Sequence, residues 1–164
     1  MSHQPSPTLA ATSVTDRLRT AVAGAVHAPD DEGYRLSATG FNVATVHRSA
    51  AVVVASSAAD VATTVRIAAE CGLTVAVQAT GHGAAPAPEN SILVDTALLD
   101  GVSINRDERT ATVEAGVRLR QVLDAAAPHG LAPLAGSSPD VGVVGYTLGG
   151  GLGPIARTHG FAAD

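Results

Sequence analysis

The hexapeptide Gln78-Ala79-Thr80-Gly81-His82-Gly83 places one histidine between two glycines, directly after an apolar run. The run, LTVAV at 73–77, is short, rich in valine and preceded by the stop signal Cys71-Gly72, which predicts a buried strand. Because glycine has no Cβ, the backbone beside His82 can adopt positive φ and approach a ligand closely. Successive N–H groups in such a turn can also bind an anion without a cationic side chain. Two interpretations are open: a loop that presents an imidazole to a phosphate-bearing cofactor, or a tight turn whose histidine caps nearby backbone.

A second stretch, GSSPDVGVVGYTLGGGLG at 136–153, holds seven of the 17 glycines of the chain in 18 residues. Glycine at this density costs backbone entropy on folding. Contacts that only a closely approaching backbone can make must therefore offset this cost. The spacing is not that of a GxGxxG dinucleotide fingerprint. Interspersed valines, leucines and Tyr146 indicate an ordered segment rather than a linker. The stretch either wraps a flat or phosphorylated ligand or packs between two lobes, and Tyr146 either contacts that ligand or packs.

Composition restricts the possible functions. A chain of 164 residues is long enough for one domain with a real core, and the scarcity of aromatic residues predicts a core of alanine, valine and leucine. The net charge of -5 argues against a nucleic-acid partner. All ten cationic side chains are arginine, which excludes a Walker A loop and a lysine Schiff base. The sequence has no candidate membrane span and no recognisable signal peptide, which predicts a cytoplasmic protein without a membrane partner.

Apolar periodicity and stop signals predict the secondary structure. Residues 1–14 are expected to form a loose arm, and a helix begins at Thr15-Asp16 and ends near 28–29. A polar loop follows over 29–39. Ser57 caps a helix over 58–70 that carries Val61, Val65 and Ala68 on its buried face, between parallel strands at 50–55 and 73–77. The remaining predictions are a stiff connector at 84–88, a strand at 92–95, a hairpin from 102–104 and 110–113, and a helix over 117–127.

The two glycine motifs, taken together with Phe41-Asn42, resemble those of a known family. Thr80-Gly81-His82-Gly83 precedes AGSSP at 135–139 and VGVVGYTLGGGLG at 141–153 by about 55 residues. This order and spacing are similar to those of FAD-linked oxidases of the berberine-bridge-enzyme type, which carry the vanillyl-alcohol-oxidase (PCMH-type) FAD-binding domain. The resemblance implies an α+β fold built of two small α/β lobes. It also implies an N-terminal arm and helix at 1–37 and an incomplete FAD-binding PCMH-type domain at 38–164.

The resemblance implies a flavoprotein with a covalent flavin. The loop over 78–83 would cradle the FAD pyrophosphate, and His82 would be bonded to the 8α-methyl carbon of the flavin. Many relatives have a cysteine, the second anchor, at the position of Ser138, and many have arginine at the position of Gln78. Attachment is therefore expected through His82 alone. The implied cofactor-binding residues are Gln78, Ala79, Thr80, Gly81, His82, Gly83, Gly136, Ser137, Ser138, Val141, Gly142, Gly145, Tyr146, Gly149, Gly150 and Gly151.

The implied function is that of an FAD-dependent oxidoreductase module. Family members continue beyond the glycine-rich stretch into a substrate domain that supplies the catalytic base, so the chain resembles the N-terminal part, or a fragment, of an oxidase. Its catalytic residues, small-molecule substrate and electron acceptor, dioxygen or another, are thus not identified by these motifs. A nucleotide-binding or regulatory remnant without turnover is the alternative. No metal site is predicted, because His3, His27, His47, His129 and His159 share no ligand spacing and are expected to be surface or capping residues.

Overall fold

A computed structural model describes residues 7–164, which divide after Leu98 into a first compact unit and a second one, Leu99–Asp164. The first unit contains α1 (Pro7–Ala21), β1 (Ala25–His27), α2 (Glu32–Ala38), β2 (Ala51–Val54), α3 (Ala58–Glu70), β3 (Thr74–Gln78) and β4 (Ser91–Asp95). The second contains β5 (Val102–Asn105), β6 (Thr110–Val113), α4 (Leu119–Ala126), a 3₁₀ turn (Ala127–His129), α5 (Val143–Leu148) and α6 (Ala156–His159).

The sheet of the first unit has the strand order β1-β2-β4-β3. β4 pairs in parallel with both β2 and β3, and β1 pairs antiparallel with β2. The predicted strands and the parallel βα-unit are therefore correct, but β4 lies between the two strands that the unit connects. As a result β3 is an edge strand rather than a buried one, and the side chain of Val77 is 62% exposed.

Alternate residues of the central strands face two apolar clusters. Ala51, Val53 and Ile92 pack with Val14 and Leu18 of α1 and with Ile67 and Ala68 of α3. Val52 and Leu93 point the other way and pack with Tyr34 and Ala38 of α2 and with Ala87. The small valine and alanine side chains predicted for the core are thus found in it.

The N-terminal region differs from its prediction. α1 begins at Pro7, so the predicted loose arm is helical from there on, while residues 1–6 lie outside the described residues. The helix ends at Ala21 rather than near 28–29, and β1 occupies Ala25–His27. α2 lies in the predicted polar loop, because Tyr34 and Ala38 can be buried against the sheet. α1 and β1 belong to the first unit. The boundary between an N-terminal region at 1–37 and the FAD-binding domain at 38–164 stays a prediction.

α3 has the predicted limits, and Ala68 is buried as predicted, but the rest of the buried face differs. Ser57 caps it by accepting a hydrogen bond from the Asp60 N–H. The buried residues are Asp60, Thr64, Ile67 and Ala68, whereas Val65 is 48% exposed. The face is rotated because the Asp60 carboxylate accepts hydrogen bonds from the Ala23 and Gly24 N–H groups and from Ser56.

In the second unit the predicted hairpin is present as β5 and β6, which pair antiparallel. The predicted helix over 117–127 is α4, followed by the 3₁₀ turn that ends at Gly130 with φ of +66°. Leu119, Val122 and Ala126 form the buried face of α4.

Candidate functional site

The loop after β3 is fastened to a distant segment of the first unit. The Phe41 N–H donates to the Thr80 carbonyl at 2.8 Å, and the Asn42 N–H donates to the Gly81 carbonyl at 3.4 Å. Gly81 has φ of +73°, and a methyl group on it would lie 2.6 Å from Gly40 Cα. Glycine at 81 is therefore required by the turn and by the close approach of two segments of the chain itself.

His82 is half-buried and held on two sides. Its imidazole stacks on the Phe41 ring, with centroids 3.9 Å apart and an interplanar angle of 8°. Its Nδ1 atom lies 2.8 Å from Thr80 Oγ1. Nε2 has no hydrogen-bond partner within residues 7–164. The stack fixes the ring plane, and the hydrogen bond fixes which edge of the ring faces away from Thr80.

The backbone around His82 leaves donors and space for a ligand. Among the described residues, the N–H groups of Gly81, His82 and Gly83 donate to no protein acceptor. A methyl group on Gly83 would meet no atom within 4 Å, and the φ of Gly83 is not left-handed. The fold therefore does not require glycine at 83. Consecutive unpaired N–H groups beside open backbone suit an anion such as a phosphate.

A buried pair that no sequence motif indicates supports the base of this loop. His47 Nε2 lies 2.9 Å from Gln78 Oε1, and His47 Nδ1 accepts a hydrogen bond from the Ala87 N–H at 3.0 Å. Since a backbone N–H can only donate, the His47 proton sits on Nε2 and is donated to Gln78. His47 was expected at the surface or as a cap, but it is only 6% exposed and joins both ends of the segment 78–87. No local pattern in the sequence signals this pairing.

One carboxylate lies at the same end of the sheet. Asp95 ends β4 as the register partner of Gln78. Burial raises the pKa of its carboxyl group, and the hydrogen bond from the Ala97 N–H at 2.9 Å opposes that rise without cancelling it.

The glycine-rich stretch begins with an extended segment held against the start of α4. The Leu119 and Arg120 N–H groups donate to the carbonyls of Val141 and Pro139 at 2.9 and 2.8 Å. The Val143 N–H in turn donates to the Val117 carbonyl at 2.9 Å. The stretch is therefore ordered, as predicted, and α5 forms inside it.

Tyr146 of α5 accounts for part of the glycine content. A methyl group on Gly136 would lie 3.1 Å from Tyr146 Cε2, and one on Gly151 would lie 2.9 Å from Cε1. Within the described residues, the buried Tyr146 hydroxyl has no hydrogen-bond partner. By contrast, methyl groups on Gly145 and Gly150 would meet nothing within 4 Å. Packing explains the first two glycines, whereas the other two border open space.

For the other predicted cofactor contacts, the structure shows no feature that points to a ligand. Ser137 is exposed, Ser138 is half-buried, and neither makes a hydrogen bond within residues 7–164. Together with Ala79, Val141, Gly142 and Gly149, they stay predictions. Among the described residues no group of three His, Cys, Asp or Glu side chains is placed to hold a metal ion. Likewise, no described helix is both long and apolar enough to cross a membrane.

Comparison with known proteins gives consistent matches. A family model described as FAD binding domain matches residues 49–164. (R)-6-hydroxynicotine oxidase of Paenarthrobacter nicotinovorans is 32% identical over 145 residues, which cover 87% of this chain and 32% of that protein. The structure of BBE-like 1 from Physcomitrella patens matches 92% of this chain with 34% of its own, at 26% identity and a TM-score of 0.79.

A third relative has a flavin attached at two points. Glucooligosaccharide oxidase of Acremonium strictum, whose structure concerns a 6-S-cysteinyl, 8α-N1-histidyl FAD, is 28% identical with a TM-score of 0.79. The match covers 93% of this chain and 33% of that one. This chain thus spans about a third of the length of the relatives that it matches.

These matches confirm the resemblance to berberine-bridge-type oxidases and the α+β fold of the PCMH-type FAD-binding domain. They also support FAD as the cofactor. On the family match over residues 49–164, the chain belongs to the FAD binding domain family.

Proposed function

We propose that this chain is the FAD-binding part of an FAD-dependent oxidoreductase and carries its flavin on His82. The observation that supports this proposal most directly is the arrangement of His82, stacked on Phe41 and hydrogen-bonded to Thr80 with one ring edge open. The family match and the FAD-linked oxidoreductases among the relatives support the oxidoreductase over a remnant without turnover.

The described residues fit FAD. The pyrophosphate would be held by the N–H groups of Gly81, His82 and Gly83, which have no acceptor within the described part of the chain. Gln78 would add little charge or hydrogen bonding through its oxygen, since Oε1 is engaged by His47. Gly145 and Gly150 would allow a ligand to approach the backbone of the second unit. Bound FAD would supply two-electron oxidation of a substrate C–H bond.

This chain would contribute binding and orientation rather than proton transfer to the substrate. The substrate would be a small organic molecule, as the names of 6-hydroxynicotine oxidase and glucooligosaccharide oxidase imply for those proteins. Dioxygen or another acceptor would reoxidise the cofactor. The base that activates the substrate would come from outside these residues. For the cellular location of the protein, we propose the cytoplasm.

Attachment is expected at one point only. The FAD of the Acremonium strictum relative carries a 6-S-cysteinyl bond as its second attachment, and a serine hydroxyl at 138 cannot form such a thioether. The bond would join a ring nitrogen of His82 to the 8α carbon, which loses one hydrogen as the imidazole loses its N–H proton. The electron balance would then be closed by an acceptor such as dioxygen, which would take up the two electrons and become hydrogen peroxide.

The test is intact-mass measurement of the protein, purified with its flavin and then denatured. One retained FAD is expected on the wild type and on Ser138→Ala, and none on His82→Ala. His129→Ala, an exposed histidine outside both segments, serves as the matched control and should retain its FAD. Release of all flavin from the denatured wild type, or retention on His82→Ala, would refute the assignment of His82.

A further inference from the structure

We infer that His47 is a positioning residue for the cofactor: it holds the oxygen of the Gln78 side-chain amide and thereby directs the amide nitrogen to a phosphate oxygen of bound FAD. This inference rests on the proposed function and deepens it, because it assigns a role to a residue outside both glycine motifs. It follows from a chain of hydrogen-bonding groups in which each group fixes the orientation of the next.

The position and tautomer of His47 are fixed by the segment that it contacts. The Arg48 N–H donates to the Ala87 carbonyl at 3.3 Å, and the Ala87 N–H donates to His47 Nδ1 at 3.0 Å. These two bonds run in opposite directions and hold His47 and Ala87 side by side. Because Nδ1 is used as an acceptor, the neutral imidazole carries its proton on the other ring nitrogen.

That proton decides which way the amide of Gln78 faces. His47 Nε2 lies 2.9 Å from Gln78 Oε1. Only the amide oxygen can accept the proton there, because the NH2 group would oppose one donor with another. The amide nitrogen therefore faces away from His47, and within residues 7–164 it makes no hydrogen bond.

The amide nitrogen of Gln78 is thus an unpaired donor on a buried residue. Gln78 is 5% exposed, and buried polar groups in proteins are as a rule hydrogen-bonded. Among residues 7–164, the one fully enclosed side-chain nitrogen or oxygen without a partner is the Tyr146 hydroxyl, so the Gln78 nitrogen keeps some contact with the surface. A ligand can therefore reach this nitrogen and supply the missing acceptor.

The surroundings of the amide suit a phosphate. A methyl group on Gly81 would lie 3.0 Å from Gln78 Oε1, so the amide packs against the turn after β3. The backbone N–H groups of this turn, at residues 81–83, donate to no acceptor among the described residues. An oxyanion accepts several donors at once, and each such bond is stronger than one between neutral groups. Gln78 would add a side-chain donor to these backbone donors.

Two variants of His47 separate positioning from stability. His47→Gln keeps a donor for Gln78, whereas His47→Asn keeps an acceptor for the Ala87 N–H and loses that donor. Each variant retains one of the two hydrogen bonds, so the two are expected to be similarly stable. If the role of His47 were purely structural, both variants would bind FAD equally well.

The dissociation constant of FAD is measured by quenching of flavin fluorescence in the full-length protein, in a His82→Ala background that leaves the flavin exchangeable. His47→Asn should weaken binding by about 13- to 160-fold, the range expected for one hydrogen bond to a charged group. His47→Gln should bind like the parent protein. Gln78→Glu keeps an oxygen for His47 but replaces the donor by an acceptor, so it should lose at least as much affinity. His129→Asn, the same substitution at an exposed histidine, is the matched control and should have no effect.

Phosphorus NMR of the flavin-loaded protein with His82 intact locates the contact. His47→Asn should shift the resonances of the bound pyrophosphate, because a donor to one of its oxygens is lost. His47→Gln and His129→Asn should leave these resonances at their wild-type positions.

The outcomes separate this inference from the proposed function. Equal FAD affinities of His47→Gln and His47→Asn would overturn the positioning role, and unchanged phosphorus resonances in His47→Asn would overturn the phosphate contact. Both results would leave FAD binding itself intact. Flavin that separates from the denatured wild-type protein would overturn attachment to His82, and the same titration would then test the inference on the wild type. A wild-type protein that binds no FAD would overturn the proposed function and the inference with it.

Discussion

Replacing His47 by alanine should destabilise the chain at the base of the candidate site. The His47 ring donates to Gln78 Oε1 over 2.9 Å and accepts the Ala87 N–H over 3.0 Å, and His47 and Gln78 are 6% and 5% exposed. Alanine would leave both partners buried without a hydrogen bond. An unsatisfied buried group costs about 1–3 kcal/mol, so the two together should lower the free energy of unfolding by about 2–6 kcal/mol.

Two further variants separate the two bonds. The His47→Gln side chain can still donate toward Gln78, and that of His47→Asn can still accept from Ala87, so each should recover about half of the loss. Urea denaturation of the full chain gives these free energies, and flavin retention on the same samples reports on the loop 78–87. His129→Ala, which is exposed, should change stability by no more than about 0.5 kcal/mol. A His47→Ala variant as stable as that control would refute the reasoning.

Four other substitutions test three separate features. Asp95→Asn keeps an oxygen that can accept the hydrogen bond from the Ala97 N–H. Because burial raises the pKa of Asp95, the wild-type chain loses stability as this carboxyl group ionises with rising pH. The variant should therefore be more stable than the wild type at pH 7. Urea curves should show this gain disappearing in acid, and a gain that persists there would contradict it. Gly40→Ala would place a methyl group 2.7 Å from Gly81 Cα and should lower the free energy of unfolding by about 1–3 kcal/mol. The methyl group of Gly83→Ala would meet nothing within 4 Å, so this variant should unfold like the wild type but retain less flavin. Equal urea midpoints for these two glycine variants would be evidence against the contact. Tyr146→Phe removes a buried hydroxyl that has no partner within residues 7–164, so stability should stay the same or rise, and a loss above about 1 kcal/mol would count against this assignment.

Features defined by neighbouring residues were predictable from the sequence. α3 has the predicted limits because Ser57 supplies a local cap and Gly72 a local stop. The strands β2 and β4 were predictable because short apolar runs between breakers have few alternatives.

Features that depend on distant partners were not predictable. Asp60 is on the buried face of α3 only because N–H groups of Ala23 and Gly24, more than thirty positions away, satisfy its carboxylate. β1 is three residues long and exists through its pairing with β2, and no periodicity can appear in so short a segment.

The same distinction holds for the candidate site. The glycines around His82 indicated a turn near a ligand, because that signal is local. Phe41 stacks on a residue 41 positions away, and His47 is buried against one 31 positions away. No local sequence pattern around either residue predicts these contacts. The glycine-rich stretch around Tyr146 also predicted a ligand from a local pattern. There the prediction is less reliable, because some of the glycines are explained by packing against the tyrosine ring.

The packing of Gly136 on Tyr146 also constrains how this protein can change over generations. Alanine at 136 would meet the tyrosine ring at 3.1 Å, so the ring must shift by a few tenths of an ångström to admit that mutation, whereas no shift is needed once residue 146 is smaller. The order of the two mutations therefore matters, and positions 136 and 146 should vary together among descendants of this sequence. Gly151 touches the same ring, but its φ of +67° keeps it glycine whatever stands at 146. One tyrosine thus creates one pair of positions that evolve jointly and leaves another neighbour fixed.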